Sequence, residues 1–279
     1  MNDLVTVDVP APHVRVITLN RPDRLNAMSI DLVSELHEQL RAAGADNDCW
    51  VVILTGAGRA FCSGLDLKDL GLIPNIDGLQ VGRIAQRSMR HYSSLVTAMR
   101  SIPQPIIVAV NGPAYGGGMC LALGADLRFA SSATTFNATG IVNGLTSTEM
   151  GVGYLLWRAV GTAQANDILL TGRTVDAEHA LAMGLVSRVF DDETFLTETI
   201  DVATAMCAFS PYGLQYTKEA LVVGVETTSL HTAIEFEDRN QLLLGFTDNL
   251  PTAIRAFGRG ETPEYTDEPR RDMWAPGAG

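Results

Sequence analysis

The chain has 279 residues, 46% hydrophobic and 19% charged, which is typical of a globular protein and excludes global disorder. Its net charge of -12 argues against a nucleic-acid-binding surface. The four cysteines form no CxxC pair and the five histidines have no metal-ligand spacing, so no metal site is predicted. Because no signal peptide or membrane-spanning apolar run is visible, we expect a cytoplasmic protein that binds no membrane.

The first half of the chain alternates between strand-like and helical segments. Residues 14–19 have strand composition, and residues 29–43 carry apolar side chains at helical spacing behind a serine N-cap. Short apolar strands are predicted over 51–55, 106–110 and 125–130. Strands that alternate with helices favour an α/β fold with crossover connections.

A helix is predicted over 84–99, after a loop rich in Gly, Pro and Asn that we expect to form a pocket wall. The last third of the chain is predicted to be mainly helical. Near the C-terminus, Ser210-Pro211 opens another helix. We therefore predict two domains, a core over 1–205 and a helical lobe over 206–279, and the polar tail from residue 258 is expected to be partly disordered.

The most informative motif is the triglycine Gly116-Gly117-Gly118, which lies between an apolar strand and an apolar helical segment. Glycines at such a junction let the backbone pass very close to a ligand. They also leave the first N–H groups of the helix pointing into open space, with the positive end of the helix dipole behind them. This arrangement suits an anion, or an oxygen that becomes one during a reaction.

A second glycine turn follows the strand at 51–55. Ser63-Gly64 is expected to leave the Leu65 N–H unpaired at the start of another helix, with Asp66 in its first turn. Two backbone N–H donors that converge on one point form an oxyanion hole. An ordinary tight turn explains either junction alone, but the two together favour a site.

These motifs resemble those of the crotonase superfamily, also called the enoyl-CoA hydratase/isomerase family, over nearly the whole chain. The segments that carry the resemblance are Asn20-Arg21-Pro22-x-x-x-Asn26-Ala27, 60–67, 105–118, Arg158-Ala159-Val160-Gly161, Leu170-Thr171-Gly172 and 177–186. The resemblance implies an α/β fold, with a crotonase-like spiral core of ββα units and a C-terminal helical lobe that mediates trimerisation. A homotrimer, or a hexamer built from two trimers, is therefore expected.

The resemblance also implies an acyl-CoA thioester substrate and no separate cofactor, since CoA is part of the substrate. The N–H groups of Leu65 and Gly117 would bind the thioester oxygen and stabilise an enolate, each donor lowering the barrier by ~3 kcal/mol. The residues implied to contact CoA or the acyl group flank these donors: Arg24, Ala60, Gly64, Asp66 and Gly116. Arg24 fits a solvated surface charge equally well.

The two glutamates used by the family's hydratases are not matched. The first should lie two residues after the triglycine, where this chain has Cys120, expected to be a core residue. The second should fall within 140–142, which is Gly-Ile-Val. Glu149 instead occupies the position at which dienoyl-CoA isomerases carry an aspartate and aromatic-acyl-CoA dehalogenases place their nucleophile. It is therefore the candidate acid/base residue.

Several alternatives stay open at this point. The run 146–149 also matches a capping box, in which Thr146 would cap a helix and the Glu149 carboxylate would bond its own backbone. The leading hypothesis is an enoyl-CoA hydratase/isomerase-type enzyme, with double-bond isomerisation and single-carboxylate hydration both open. The others are a non-catalytic acyl-CoA-binding protein that has lost the hydratase glutamates, and a thioester hydrolase in which Glu149 activates water.

Overall fold

The computed structural model describes residues 3–69 and 71–270. Its strands are β1 (Val5–Ala11), β2 (Val14–Leu19), β3 (Val51–Gly56), β4 (Ile106–Val110), β5 (Ala114–Tyr115), β6 (Leu127–Ser131), β7 (Thr135–Asn137), β8 (Val175–Asp176) and β9 (Arg188–Phe190). Six form one sheet in the order β1-β2-β3-β4-β6-β9, in which only β1 and β2 are antiparallel among the described pairs. A smaller sheet has the order β5-β7-β8.

Helices cover both faces of the main sheet and continue beyond it. They are α1 (Ile30–Ala45), α2 (Val81–Ser101), α3 (Gly117–Gly124), α4 (Val152–Thr171), α5 (Ala177–Ala182), α6 (Phe195–Met206), α7 (Pro211–Glu226), α8 (Leu230–Gly245) and α9 (Asn249–Arg259). The predicted N-cap of α1 is confirmed, because Ser29 Oγ accepts a hydrogen bond from Leu32 N. Within the described ranges, every helix is too short or too polar to span a membrane.

The central strand β3 is buried along its whole length. Val51 and Ile53 pack in a cluster with Phe195 of α6, whereas Val52 and Leu54 belong to the larger core on the opposite face, with α1, α2 and α3. A strand covered on both faces has no side that contacts water, which explains its almost continuous run of apolar residues.

The parallel strands bring the two glycine turns to the same end of the sheet. The chain leaves β3 and β4 at that end, and the segments that follow pair with each other: Tyr115 N donates to Cys62 O at 2.9 Å. Met28 N donates to Gly64 O at 2.8 Å, which adds the segment before α1. The two predicted junctions are thus neighbours in space.

The helix expected to begin at Leu65 is not formed, and that prediction is wrong. Leu65 is held in an extended bridge to Met28, and Asp66 N donates to Met28 O at 3.1 Å. The next helix, α2, begins only at Val81. The edge strand β1 was also missed by the sequence pattern, because six of its seven residues are only partly buried or exposed.

The C-terminal helices α7, α8 and α9 lie after the main sheet, and residues 260–270 return along them. Tyr212 N donates to Asp267 Oδ2 at 3.0 Å, and Asp248 N donates to Glu268 O at 2.8 Å. This part of the tail is therefore fixed by hydrogen bonds. The remainder of the segment predicted to be disordered, 271–279, lies outside the described residues. The domain division at residue 206 stays a prediction.

A buried lysine ties α7 to the core. Lys218 is only 4% exposed, and its Nζ donates to Met99 O at 2.8 Å and to Gln104 O at 2.9 Å. It also forms an ion pair with Asp126 Oδ2 at 3.0 Å. The same carboxylate oxygen accepts from Ile106 N at 2.8 Å, at the start of β4. One side chain thus connects the C-terminal helices to the sheet.

Replacing this lysine should destabilise the protein strongly. Lys218→Met leaves the Asp126 charge without its partner, and breaking a buried pair in this way costs about 3–5 kcal/mol. We expect a lower urea midpoint at fixed protein concentration, measured by circular dichroism. Lys68→Met is the matched control because Lys68 is exposed. Equal midpoints for the two variants would show that Lys218 does not anchor α7.

Candidate functional site

Two backbone N–H groups lie unpaired at the meeting point of the two turns. Among the described residues, neither Leu65 N nor Gly117 N donates a hydrogen bond. A Cβ on Gly64 would lie 3.4 Å from Gly117 N, so the second turn touches the first turn of α3. The positive end of the α3 dipole lies here as well. Such a pair of donors can bind a carbonyl oxygen that gains negative charge.

This close approach requires glycine at specific positions. A Cβ on Gly118 would lie 2.1 Å from Cys62 O, and one on Gly64, where φ is 92°, would lie 2.8 Å from Tyr115 O. Both contacts are with backbone, which cannot move aside. By contrast, a Cβ on Gly117 would meet the flexible end of the Met28 side chain. Gly118 and Gly64 are therefore needed for the fold, whereas Gly117 leaves room at the site.

Glu149 lies beside this pair of donors. A Cβ built on Gly116 would lie 3.5 Å from Glu149 Oε1. The side chain is half-buried, and burial raises the pKa of its carboxyl group. Within the described residues, no hydrogen-bond donor meets the carboxylate. The tertiary structure therefore brings Glu149, Leu65 and Gly117 together, as the sequence predicted.

The capping-box interpretation of Glu149 is wrong. Helix α4 begins at Val152, with Gly151 as its N-cap, so Thr146 lies too far upstream to cap it. The Thr146 hydroxyl donates instead to Thr148 O, at 3.5 Å. Met150, with φ at 46°, separates Glu149 from the helix. The carboxylate is consequently not held by its own backbone and is available for a ligand.

Cys120, at the position of the first hydratase glutamate, supports the segment that carries Glu149. Its buried Sγ donates to Glu149 O at 3.5 Å. Burial raises the pKa of the thiol well above its ordinary value of 9.0, so it stays neutral at physiological pH. This agrees with the prediction that Cys120 is a core residue and not a nucleophile.

The residues expected to bind CoA hold the second turn together. Asp66 is 2% exposed and pairs with Arg24 at 2.7 Å and with Arg21 at 3.1 Å. Burial acts to raise the pKa of Asp66, but these arginines and two backbone N–H groups outweigh it and lower the pKa. Ala60 O accepts from Asn26 Nδ2 at 2.8 Å. Arg24 is thus neither a free surface charge nor committed to a ligand, and its contact with CoA stays a prediction.

Sequence reasoning missed Thr139. A Cβ on Gly116 would lie 2.8 Å from Thr139 Oγ1, on the side where Glu149 also approaches. No motif or periodicity marks this threonine, because only the fold brings it to the triglycine.

For metals, the described ranges contain no group of three or more His, Cys, Asp or Glu side chains close enough to hold an ion. The absence of a required cofactor stays a prediction.

The glycine geometry predicts opposite effects at adjacent positions. Gly118→Ala should destabilise the fold, because its methyl group collides with Cys62 O. Gly117→Ala should largely keep the melting temperature but push Met28 into the site, and a displacement of ~1 Å there lowers turnover by about 100-fold. Gly82→Ala, in open space on α2, is the control for both. Melting curves and activity assays on the three variants test this, and equal behaviour of the two triglycine variants would contradict it.

Comparisons with known proteins agree with this fold. The enoyl-CoA hydratase/isomerase family model matches residues 11–268. A probable enoyl-CoA hydratase of Mycobacterium tuberculosis is 44% identical over 95% of this chain and 93% of its own length. The 1,2-epoxyphenylacetyl-CoA isomerase of Escherichia coli is 34% identical over 91% and 95%. A probable enoyl-CoA hydratase/isomerase structure from Mycobacterium abscessus has a TM-score of 0.91 at 42% identity, covering 95% of this chain and 100% of that one. The chain therefore belongs to the enoyl-CoA hydratase/isomerase family of crotonase-fold enzymes.

Proposed function

We propose that this enzyme shifts a double bond in an acyl-CoA thioester through an enolate, with Glu149 as the single acid/base. The observation that carries the proposal is one carboxylate beside two backbone N–H donors, all three without a hydrogen-bond partner among the described residues. The reaction needs no metal or redox cofactor, and CoA enters as part of the substrate.

The two donors provide electrostatic stabilisation. With the thioester oxygen between Leu65 N and Gly117 N, charge that moves onto the oxygen meets two preorganised N–H groups and a helix dipole. Each such donor contributes ~3 kcal/mol to lowering the barrier. The donors favour the enolate whichever carbon loses or gains the proton.

The proton moves by way of Glu149. Its carboxylate takes a proton from the carbon next to the thioester of a 3-enoyl substrate, and the electron pair passes to the thioester oxygen. The protonated Glu149 then gives that proton to the carbon at position 4, while the electrons return to restore the carbonyl group. The double bond moves to positions 2 and 3, and no atom is gained or lost. One residue performs both steps.

Hydration is the less favoured reaction at this site. Adding water requires one group to activate the water and an acid to protonate the neighbouring carbon. The two family positions for these groups carry Cys120, whose thiol is neutral, and the segment 140–142 without a carboxylate. A solved structure named as a monofunctional enoyl-CoA isomerase from Mycobacterium smegmatis, at 41% identity over 83% of this chain, supports the same choice, although another relative is named as a probable hydratase.

Removing the carboxylate tests the assignment. Glu149→Gln should lower double-bond isomerisation of a 3-enoyl-CoA by about 10²–10⁴-fold, because the amide cannot act as base. Formation of the conjugated thioester is followed by ultraviolet absorbance, and loss of a 2-enoyl-CoA reports hydration. Thiol release reports hydrolysis. Full activity in the glutamine variant would disprove the role of Glu149, and thioester binding without any turnover would favour the non-catalytic alternative.

The raised pKa of Glu149 sets the pH dependence of activity and stability. The base must be ionised, so kcat/KM should fall with decreasing pH along a limb that lies above the ordinary glutamate pKa of 4.5.

The stability that the buried, neutral carboxyl group of Glu149 contributes is fully present below pH 4.5 and is lost as pH rises through the raised pKa. Glu149→Gln should therefore gain melting temperature relative to wild type as pH rises through that range. A constant difference between the two proteins would contradict this.

We also propose that the chain forms a homotrimer or a hexamer through its C-terminal helices. On α9, Leu250, Ile254 and Phe257 recur at spacings of four and three, which places them on one face, and all are exposed. Phe257 is 90% exposed, which is unusual for a large apolar side chain. A second copy of the chain would cover this face.

An acidic substitution on α9 should break the assembly. Phe257→Asp is expected to shift the mass measured by light scattering towards that of the 29.9 kDa monomer. Val9→Asp replaces an exposed apolar side chain on the edge strand β1 and should leave the mass unchanged. Assembly that survives Phe257→Asp would exclude this face as the interface.

A further inference from the structure

Thr139 has a strained backbone conformation next to the triglycine. Its φ is 44°, in the left-handed region that β-branched residues strongly avoid. The conformation is imposed by neighbours: Thr139 N donates to Asn137 Oδ1 at 2.7 Å, and Asn137 Nδ2 is held by Gly172 O at 2.9 Å. Strain of this kind costs about 1–3 kcal/mol and is concentrated at functional sites.

The strain places the Thr139 hydroxyl at the candidate site. A Cβ on Gly116 would lie 2.8 Å from Thr139 Oγ1 and 3.5 Å from Glu149 Oε1, so both oxygens lie over the same side of one glycine. Within the described part of the chain, the hydroxyl has no hydrogen-bond partner, and neither does the carboxylate. A free donor and a free acceptor therefore lie near each other at the edge of the proposed oxyanion hole.

We propose that Thr139 is a positioning residue for Glu149, donating a hydrogen bond from its hydroxyl to the Glu149 carboxylate when an acyl thioester fills the site. The inference rests on the proposed function. Binding excludes water from the site, which leaves each group with the other as its partner. The hydrogen bond fixes the direction of the carboxylate, and rotation of the hydroxyl lets it accept a proton once Glu149 is protonated.

Other titratable groups do not explain this role. Among the described groups, Glu149 acts electrostatically on the thiol of Cys120, and burial keeps that thiol neutral. The carboxylate of Asp66 forms ion pairs with Arg21 and Arg24. Thr139 is thus the side-chain donor that the fold supplies beside the carboxylate.

Two substitutions separate the hydroxyl from the shape of the side chain. Thr139→Val keeps the branched shape and the backbone strain but removes the donor. It should lower kcat roughly 10- to 100-fold with little change in KM, as expected for a lost hydrogen bond to a charged group. Its acidic pH limb should move to higher pH, because the carboxylate has lost a donor. Thr139→Ser keeps the hydroxyl and should recover most of kcat and the original pH limb.

A titration without turnover distinguishes this inference from the proposed function. With a saturated acyl-CoA bound, the ¹³C signal of the Glu149 carboxyl should titrate at higher pH in Thr139→Val than in wild type. An unchanged titration, or a valine variant with wild-type kcat and pH profile, would overturn the role of Thr139 even where Glu149→Gln is inactive. If Glu149→Gln keeps full activity, the proposed function fails first and this inference fails with it.

Discussion

The close approach of two backbone segments is the constraint on which the site depends. Residues 62–65 and 114–118 lie so near each other that a single added carbon at Gly118 would penetrate Cys62 O. Glycine is the residue that permits this spacing, and within the described ranges the N–H groups of Leu65 and Gly117 have no hydrogen-bond acceptor. Backbone donors without a protein acceptor at such a junction are available to a ligand oxygen.

Burial has contrasting effects on the acidic and thiol groups around this junction. Asp66 is almost fully buried, yet two arginines lower its pKa and keep it ionised as part of the turn. Glu149 has no such partner among the residues that the structure describes, and burial raises its pKa. Cys120 is made inert by the same desolvation. These differences in partners, more than in residue type, are the reason that our proposal assigns the proton transfer to Glu149.

The main sheet and the Lys218 ion pair that support the scaffold lie outside the candidate site. Sheet strands buried on both faces fix the ends of β3 and β4, and Lys218 joins α7 to the carboxylate of Asp126 at the opposite end of β4. The site itself consists of turns, a threonine in the left-handed backbone conformation and backbone donors that have no acceptor in the described part of the chain. A rigid sheet allows this local strain, because the cost is met by packing elsewhere.

The α/β class, four strands of the main sheet, the α1 cap and the family were determined by the sequence, because periodicity, capping and glycine motifs are local signals. Local signals also suggested a helix after Leu65 and a capping box at Glu149, and both were wrong. A long-range bridge to Met28 keeps Leu65 extended. Met150 has a left-handed backbone conformation, so α4 begins only at Val152. The tertiary structure alone brought Thr139 to Gly116 and freed the Glu149 carboxylate, since contacts between residues distant in the chain are set by how the strands pair and cross over.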